Sequence, residues 1–175
     1  MEKQVSRKEI YNGKIIKVYC DDVVLDDGKK TKREVVHHNG GACIALRDGD
    51  YYFMVKQYRY ALGKDMLEFP AGKIEKDEDP GVTIAREAYE ETGFTAKNIK
   101  SLGYIIPTCG YDDEKIYLYY GEVDKEVGQH LDEHERIDVF KFKYEDIKKM
   151  IVSGEIDDGK TIAIVCKIEL EGLHA

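Results

Sequence analysis

The sequence predicts an α/β fold, with one main domain and a small β element ahead of it. Two observations carry that prediction. Short runs rich in Val, Ile, Tyr and Phe recur along the chain between Gly, Asp and Pro turns, and three segments with capping residues at their ends read as helices. The 175 residues, 42% of them hydrophobic, suffice for one well-buried core.

Within residues 8–40, Ile15, Ile16, Val18 and Tyr19, then Val23, Val24 and Leu25, then Val35 and Val36 form strand-like pieces, with a hairpin turn at Asp27-Gly28. Such short strands make a poor core alone, so they lie against the rest of the chain or against a second subunit. GGACIAL and DYYFMVKQYRY flank the turn Arg47-Asp48-Gly49-Asp50 and predict a second hairpin. Strand alternation puts Arg59 on the side of Phe53 and Val55, where its stem covers apolar surface or its guanidinium grips a phosphate. Leu67-Glu68-Phe69-Pro70-Ala71-Gly72-Lys73 follows, and Glu68 reads equally as an edge-strand charge or a site carboxylate.

Asp79 caps a helix, Pro80 suits its first position and Gly93 its left-handed end, so the helix spans residues 80–92. Val82, Ala85, Ala88, Tyr89 and Thr92 form a stripe that could face a core, while Glu87, Glu90 and Glu91 share another face. Like charges at that spacing repel and no lysine follows to relieve them. They form either a solvated acidic face or a site for a hard divalent cation. Strands over 99–106, 114–123 and 137–142 come next, with a charged loop QHLDEHER before the last. Helices over 144–152 and 158–170 end the chain, with Gly154 closing the first and Asp157 or Asp158 capping the second.

With 35 acidic against 27 basic residues the net charge is −8, which argues against nucleic acid or an anionic membrane as partner. Four cysteines without CxxC spacing, a charged N-terminus and no long apolar run predict a reduced, cytoplasmic protein.

Written out, the central stretch is Gly72, five residues, Glu78, seven residues, then Arg86-Glu87-Ala88-Tyr89-Glu90-Glu91-Thr92-Gly93-Phe94. At residue frequencies of roughly 5–7%, a chance match to its fixed positions is on the order of one in a million. This stretch resembles the Nudix box. Gln57-Tyr58-Arg59, LEFPAG and the loop Gly110-Tyr111-Asp112-Asp113-Glu114 resemble the ADP-ribose pyrophosphatase branch of the Nudix hydrolases, although Thr108-Cys109 replaces its Ser-Pro pair. Cys109 itself reads as a small buried thiol.

The resemblance implies an α/β/α sandwich with a mixed sheet over residues 41–175. It also implies a small N-terminal antiparallel sheet over 1–40, containing Arg33-Glu34-Val35-Val36, that forms a homodimer. It implies hydrolysis of ADP-ribose to AMP and ribose 5-phosphate. The alternatives are another sugar nucleotide or a dinucleotide such as GDP-mannose or NADH, and, more remotely, a non-catalytic ADP-ribose sensor. Ala71, through its carbonyl, and Glu87, Glu90 and Glu91 would hold two or more Mg²⁺ or Mn²⁺ ions. On the loop Asp132-Glu133-His134-Glu135, Glu133 would be the general base, with Glu135 second and His134 behind both. Arg33, Arg59, Gly110 and Glu114 would bind substrate, with Tyr11 or Tyr19 available to stack on adenine. Glu78 with Arg86, and Gly72 with Gly93, would brace the motif.

Overall fold

The computed structural model describes residues 1–131 and 133–174. They form two units, Met1–Gly40 with Ile106–Lys115, and Gly41–Ile105 with Ile116–Ala175. Among the described residues no helix is long and apolar enough to cross a membrane.

The first unit holds an antiparallel sheet of β1 (Lys3–Asn12), β2 (Ile16–Val24) and β3 (Lys30–His38) in that order. The turn at Asp27-Gly28 is as expected, with Gly28 at a φ of 82° and its N–H on the Leu25 carbonyl at 2.9 Å. The strand limits need correction. The pieces at 15–19 and 23–25 are one strand, and a polar strand missed by hydrophobic patterning precedes them. Cross-strand polar contacts hold β1 in place. Arg7 donates Nε and Nη2 to Asp21 at 2.9 and 2.8 Å, and Ser6 donates to Asp22 at 2.8 Å. Asp21, in the middle of β2, is thereby satisfied despite being buried.

In the same unit, residues 106–115 lie beside β3, where the Val36 N–H donates to the Tyr111 carbonyl at 2.7 Å and the Asp113 N–H to the Val36 carbonyl at 3.1 Å. Cys109 is exposed, contrary to the buried thiol expected, because this loop runs over the surface.

In the second unit β4 (Gly41–Asp48), β5 (Tyr51–Arg59), β6 (Lys64–Glu68), β7 (Ala71–Lys73), β8 (Phe94–Ile105), β9 (Ile116–Glu126) and β10 (Ile137–Lys143) form a mixed sheet of order β10-β5-β4-β9-β8. The β4–β9 pair is parallel and its other pairs are antiparallel. Helices α1 (Pro80–Thr92), α2 (Tyr144–Ser153) and α3 (Gly159–Glu171) cover it. Strand alternation sorts the core. Ala42, Ile44 and Tyr119 meet Ile84 and Ala88 of α1 on one face. Cys43, Ala45, Leu118 and Tyr120 meet Ile147 of α2 and Ile164 and Ile168 of α3 on the other. The unit is an α/β/α sandwich.

β4 and β5 pair only near their shared turn, over Leu46–Asp48 and Tyr51–Phe53. They then part, β4 taking β7 and β5 taking β6 as neighbours. The segment Glu68-Phe69-Pro70-Ala71 runs through the opening and is held by Ile44, whose N–H donates to the Pro70 carbonyl at 3.0 Å. α1 covers the same end of β4 and β7, which is where the acidic side chains gather.

Candidate active site

The ends of α1 are set locally. Asp79 accepts from the Gly81 N–H at 2.8 Å, Pro80 follows, and Gly93 closes the helix at a φ of 83°. The face it buries differs from the predicted stripe. Thr83, Ile84, Ala88, Glu91 and Thr92 are buried, whereas Val82 and Ala85 are exposed. The helix is turned so that Glu91 points inward, and a pattern drawn from apolar residues alone does not see a carboxylate as an inward residue.

Glu91 is 4% exposed and accepts the Ala71 N–H at 2.9 Å. Burial pushes its carboxyl up to about 8; the Ala71 hydrogen bond opposes that, and the charges of Glu87 and Glu135 add to it. Glu87 is also raised, first by burial, against the pull of Arg86. Gly72 is required here for close approach, since a Cβ on it would stand 1.9 Å from Glu87 Cδ. Arg86 Nη1 donates to Glu87 at 2.8 Å and Glu90 at 2.9 Å, while its Nη2 reaches Glu78 at 3.4 Å. Glu78 is held more closely by the Thr83 hydroxyl at 2.7 Å, with the Glu75 N–H at 3.2 Å.

Among the described residues, no three acidic, histidine or cysteine side chains stand ready as an ion cage. Arg86 engages Glu87 and Glu90, and Ala71 engages Glu91. The donor chemistry nonetheless fits a hard divalent cation. It is all oxygen, it lies on one helix beside a backbone segment, and its innermost carboxyl is raised in the manner of a buried acid short of positive charge.

The loop after β9 is fastened to the end of α1. The Gly93 carbonyl accepts the Val127 and Gly128 N–H groups at 2.8 and 3.1 Å, and the His130 N–H donates to the Glu90 carbonyl at 3.0 Å. Gln129 Nε2 donates to the Glu91 carbonyl at 2.6 Å. Gly93 suits this place twice over, since its φ of 83° is strained for other residues and a Cβ on it would crowd Gln129 N at 3.1 Å. Farther along this loop, Glu135 acts electrostatically on both Glu87 and Glu91. Glu133, His134 and Glu135 are all exposed, and Asp132 lies outside the described residues.

Arg59 donates Nε and Nη2 to the two oxygens of Glu68, each at 2.7 Å. Glu68 is 2% exposed and sits opposite Val55, so it is an inward carboxylate beside the site and not an edge charge. Burial alone would push it up, but Arg59 and Lys160 hold it below the usual carboxylate range. Ala71, Glu87, Glu90, Glu91, Arg59 and Glu135 all belong to this second unit.

Arg33, Gly110 and Glu114 belong to the first unit. Arg33 pairs with Glu2 at 2.5 Å, and Glu114 with His38 Nδ1 at 3.0 Å. A Cβ at Gly110 would meet nothing within 4 Å. Of the two stacking candidates, Tyr19 carries the Arg7 guanidinium 4.3 Å from its ring centre, and Tyr11 is exposed. Sequence reasoning missed Gln129 and Lys160, whose only signal was a polar residue in a charged loop and a lysine following a cap.

Comparison with known proteins is consistent across the chain. The NUDIX domain family matches residues 37–163, and the nucleoside diphosphate sugar hydrolase N-terminal domain matches residues 2–36. An ADP-ribose pyrophosphatase of Bacillus subtilis (strain 168) is 38% identical over 178 residues, covering 99% of this chain and 96% of the relative. A methanol dehydrogenase activator of Bacillus methanolicus is 38% identical over 173 residues, covering 97% and 94%. A crystal structure described as an ADP compounds hydrolase superposes with a TM-score of 0.88 over 98% of this chain and 95% of its own, at 16% identity, a likeness of fold.

Proposed function

The chain belongs to the NUDIX domain family, and on that premise we propose that it hydrolyses the diphosphate of ADP-ribose to AMP and ribose 5-phosphate. The observation that carries the chemistry is Glu91, a buried carboxylate raised to about 8, beside Glu87 and Glu90 on one helix. What supports the substrate is the full-length likeness to the Bacillus subtilis enzyme, together with Gln57-Tyr58-Arg59 and LEFPAG.

Glu87, Glu90, Glu91 and the Ala71 carbonyl would hold Mg²⁺ or Mn²⁺, which when bound supplies charge neutralisation for the diphosphate and acidity for water. In the reaction, a water oxygen bonds to one phosphorus, the bridging P–O bond breaks, and the water's proton passes to a carboxylate. We assign that proton to Glu135 ahead of Glu133, because the charge of Glu135 bears on both Glu87 and Glu91. Arg59, anchored through Nε and Nη2, would present its Nη1 edge to the phosphates. Arg86 would hold Glu87 and Glu90 side by side against their repulsion. Arg33, Gly110 and Glu114 are proposed as further substrate contacts on the resemblance alone.

A homodimer is part of the same reading. All ten residues of β1 are exposed, among them Val5, Ile10 and Tyr11, which suits an edge covered by a second copy. The test of function is AMP release from ADP-ribose with Mg²⁺, by wild type and Glu91→Gln. Equal activity in both would remove Glu91 from the chemistry.

A further inference from the structure

We propose that Lys160, in the first turn of α3, is a positioning residue that acts through Glu68 to aim Arg59. This rests on the reading of Arg59 as a diphosphate contact. Lys160 comes 92 residues after Glu68 and outside every motif of the family resemblance described above. Its ammonium contacts Glu68 Oε2 and lies 2.9 Å from Asp158 Oδ1. The side chain is 12% exposed, and its ammonium is engaged by two carboxylates, Glu68 and Asp158.

Four charges alternate in a row, Arg59, Glu68, Lys160 and Asp158. The outer end is the more open one, with the Arg59 side chain 39% exposed and the Glu68 side chain 2% exposed. A carboxylate that deep needs positive charge on both sides, and of its two cationic partners Lys160 is the more deeply buried. Lys160 supplies the fixed side. With Nε and Nη2 of Arg59 spent on Glu68, the Nη1 edge faces away from it, so the setting of Glu68 decides where that edge points.

The same turn of α3 holds the next residue as well. Thr161 Oγ1 accepts the Phe69 N–H at 2.9 Å and donates to Asp158 Oδ2 at 2.6 Å, and both Thr161 and Phe69 are fully buried. The backbone beneath Glu68 is therefore pinned by Thr161, and its carboxylate by Lys160. Two residues beyond Phe69, Ala71 donates to Glu91. The start of α3 thus bears on the strand end that carries Arg59's partner, from the side of the sheet opposite α1.

The test uses the full chain with Lys160→Met, which keeps the apolar stem, Lys160→Arg, Arg59→Ala and the double variant Lys160→Met/Arg59→Ala, each checked for folding by circular dichroism. On the nucleoside diphosphate that wild type cuts fastest, Lys160→Met is expected to raise KM about tenfold and change kcat less than about twofold. Lys160→Arg restores most of that loss. In the Arg59→Ala background, Lys160→Met adds less than about twofold, because the two act as one unit. A second readout needs no catalysis. The Arg59 Nε–H signal in a ¹H–¹⁵N spectrum is slowly exchanging in wild type and Lys160→Arg, and exchange-broadened in Lys160→Met. An unchanged Arg59 signal in folded Lys160→Met, or KM effects that multiply in the double variant, overturns the proposal. A wild type that cuts no nucleoside diphosphate sinks the functional reading instead, and the Nε–H comparison still decides whether Lys160 holds Arg59.

Discussion

The Ala71 N–H donates to Glu91 Oε2 at 2.9 Å, and that bond joins the strand segment before the acidic helix to its most deeply buried carboxylate. It is also a modest stabiliser for a charge that burial strongly disfavours, and a pH dependence follows. The Glu91 carboxyl is raised above its unfolded value, so its contribution to stability is fully present below about 4.5 and is lost as pH rises through about 8. Cation binding at Glu91 requires the ionised form and strengthens over the same window. The increase in Tm caused by Mg²⁺ should therefore grow from pH 6 to pH 9. In Glu91→Gln that growth should vanish, and in EDTA this variant should be the more stable chain at pH 9. Thermal scans at the two pH values decide it.

The loop carboxylates separate by kinetics. Glu135→Gln should lower kcat roughly 10²- to 10³-fold with little change in KM, the loss expected of a general base. Glu133→Gln should stay within about threefold of wild type. The reverse ranking would return the role to Glu133.

Gly72→Ala tests packing against the acidic face. Its Cβ would overlap Glu87, 1.9 Å from Cδ, and the neighbouring backbone is held by the sheet, so Glu87 must move. The expected result is a Mg²⁺ requirement raised by about tenfold or more, with the fold retained. Titration of activity against Mg²⁺ reads it directly, and an unchanged midpoint would mean that Glu87 takes no part in holding the ion.

How much of this was legible beforehand depends on how local each feature is. Asp79, Pro80 and Gly93 act on their own helix ends, and their spacing marked α1. The acidic face was equally plain. The inward turn of Glu91 was not, because hydrophobic patterning counts a carboxylate as an outward residue. β1 escaped notice since its partners, Arg7 with Asp21 and Ser6 with Asp22, exist only once the two strands are paired. Glu68 was open between two roles because Lys160 is 92 positions away, and Gln129 became informative only when its amide was seen on the Glu91 carbonyl.

For the assembly, light scattering in solution should give twice the mass of the chain. Ile10→Asp, placing a charge on the exposed edge strand, should give a single-chain mass with folding intact. A wild type that stays at one chain mass at high concentration would reject the dimer.

The most direct test of the central claim is a substrate panel with Mg²⁺, comparing ADP-ribose, GDP-mannose and NADH, with products separated chromatographically. The account predicts that ADP-ribose has the highest kcat/KM and yields AMP and ribose 5-phosphate in equal amounts, and that Glu91→Gln abolishes both products. Faster turnover of GDP-mannose or NADH, or full activity of Glu91→Gln, would contradict it.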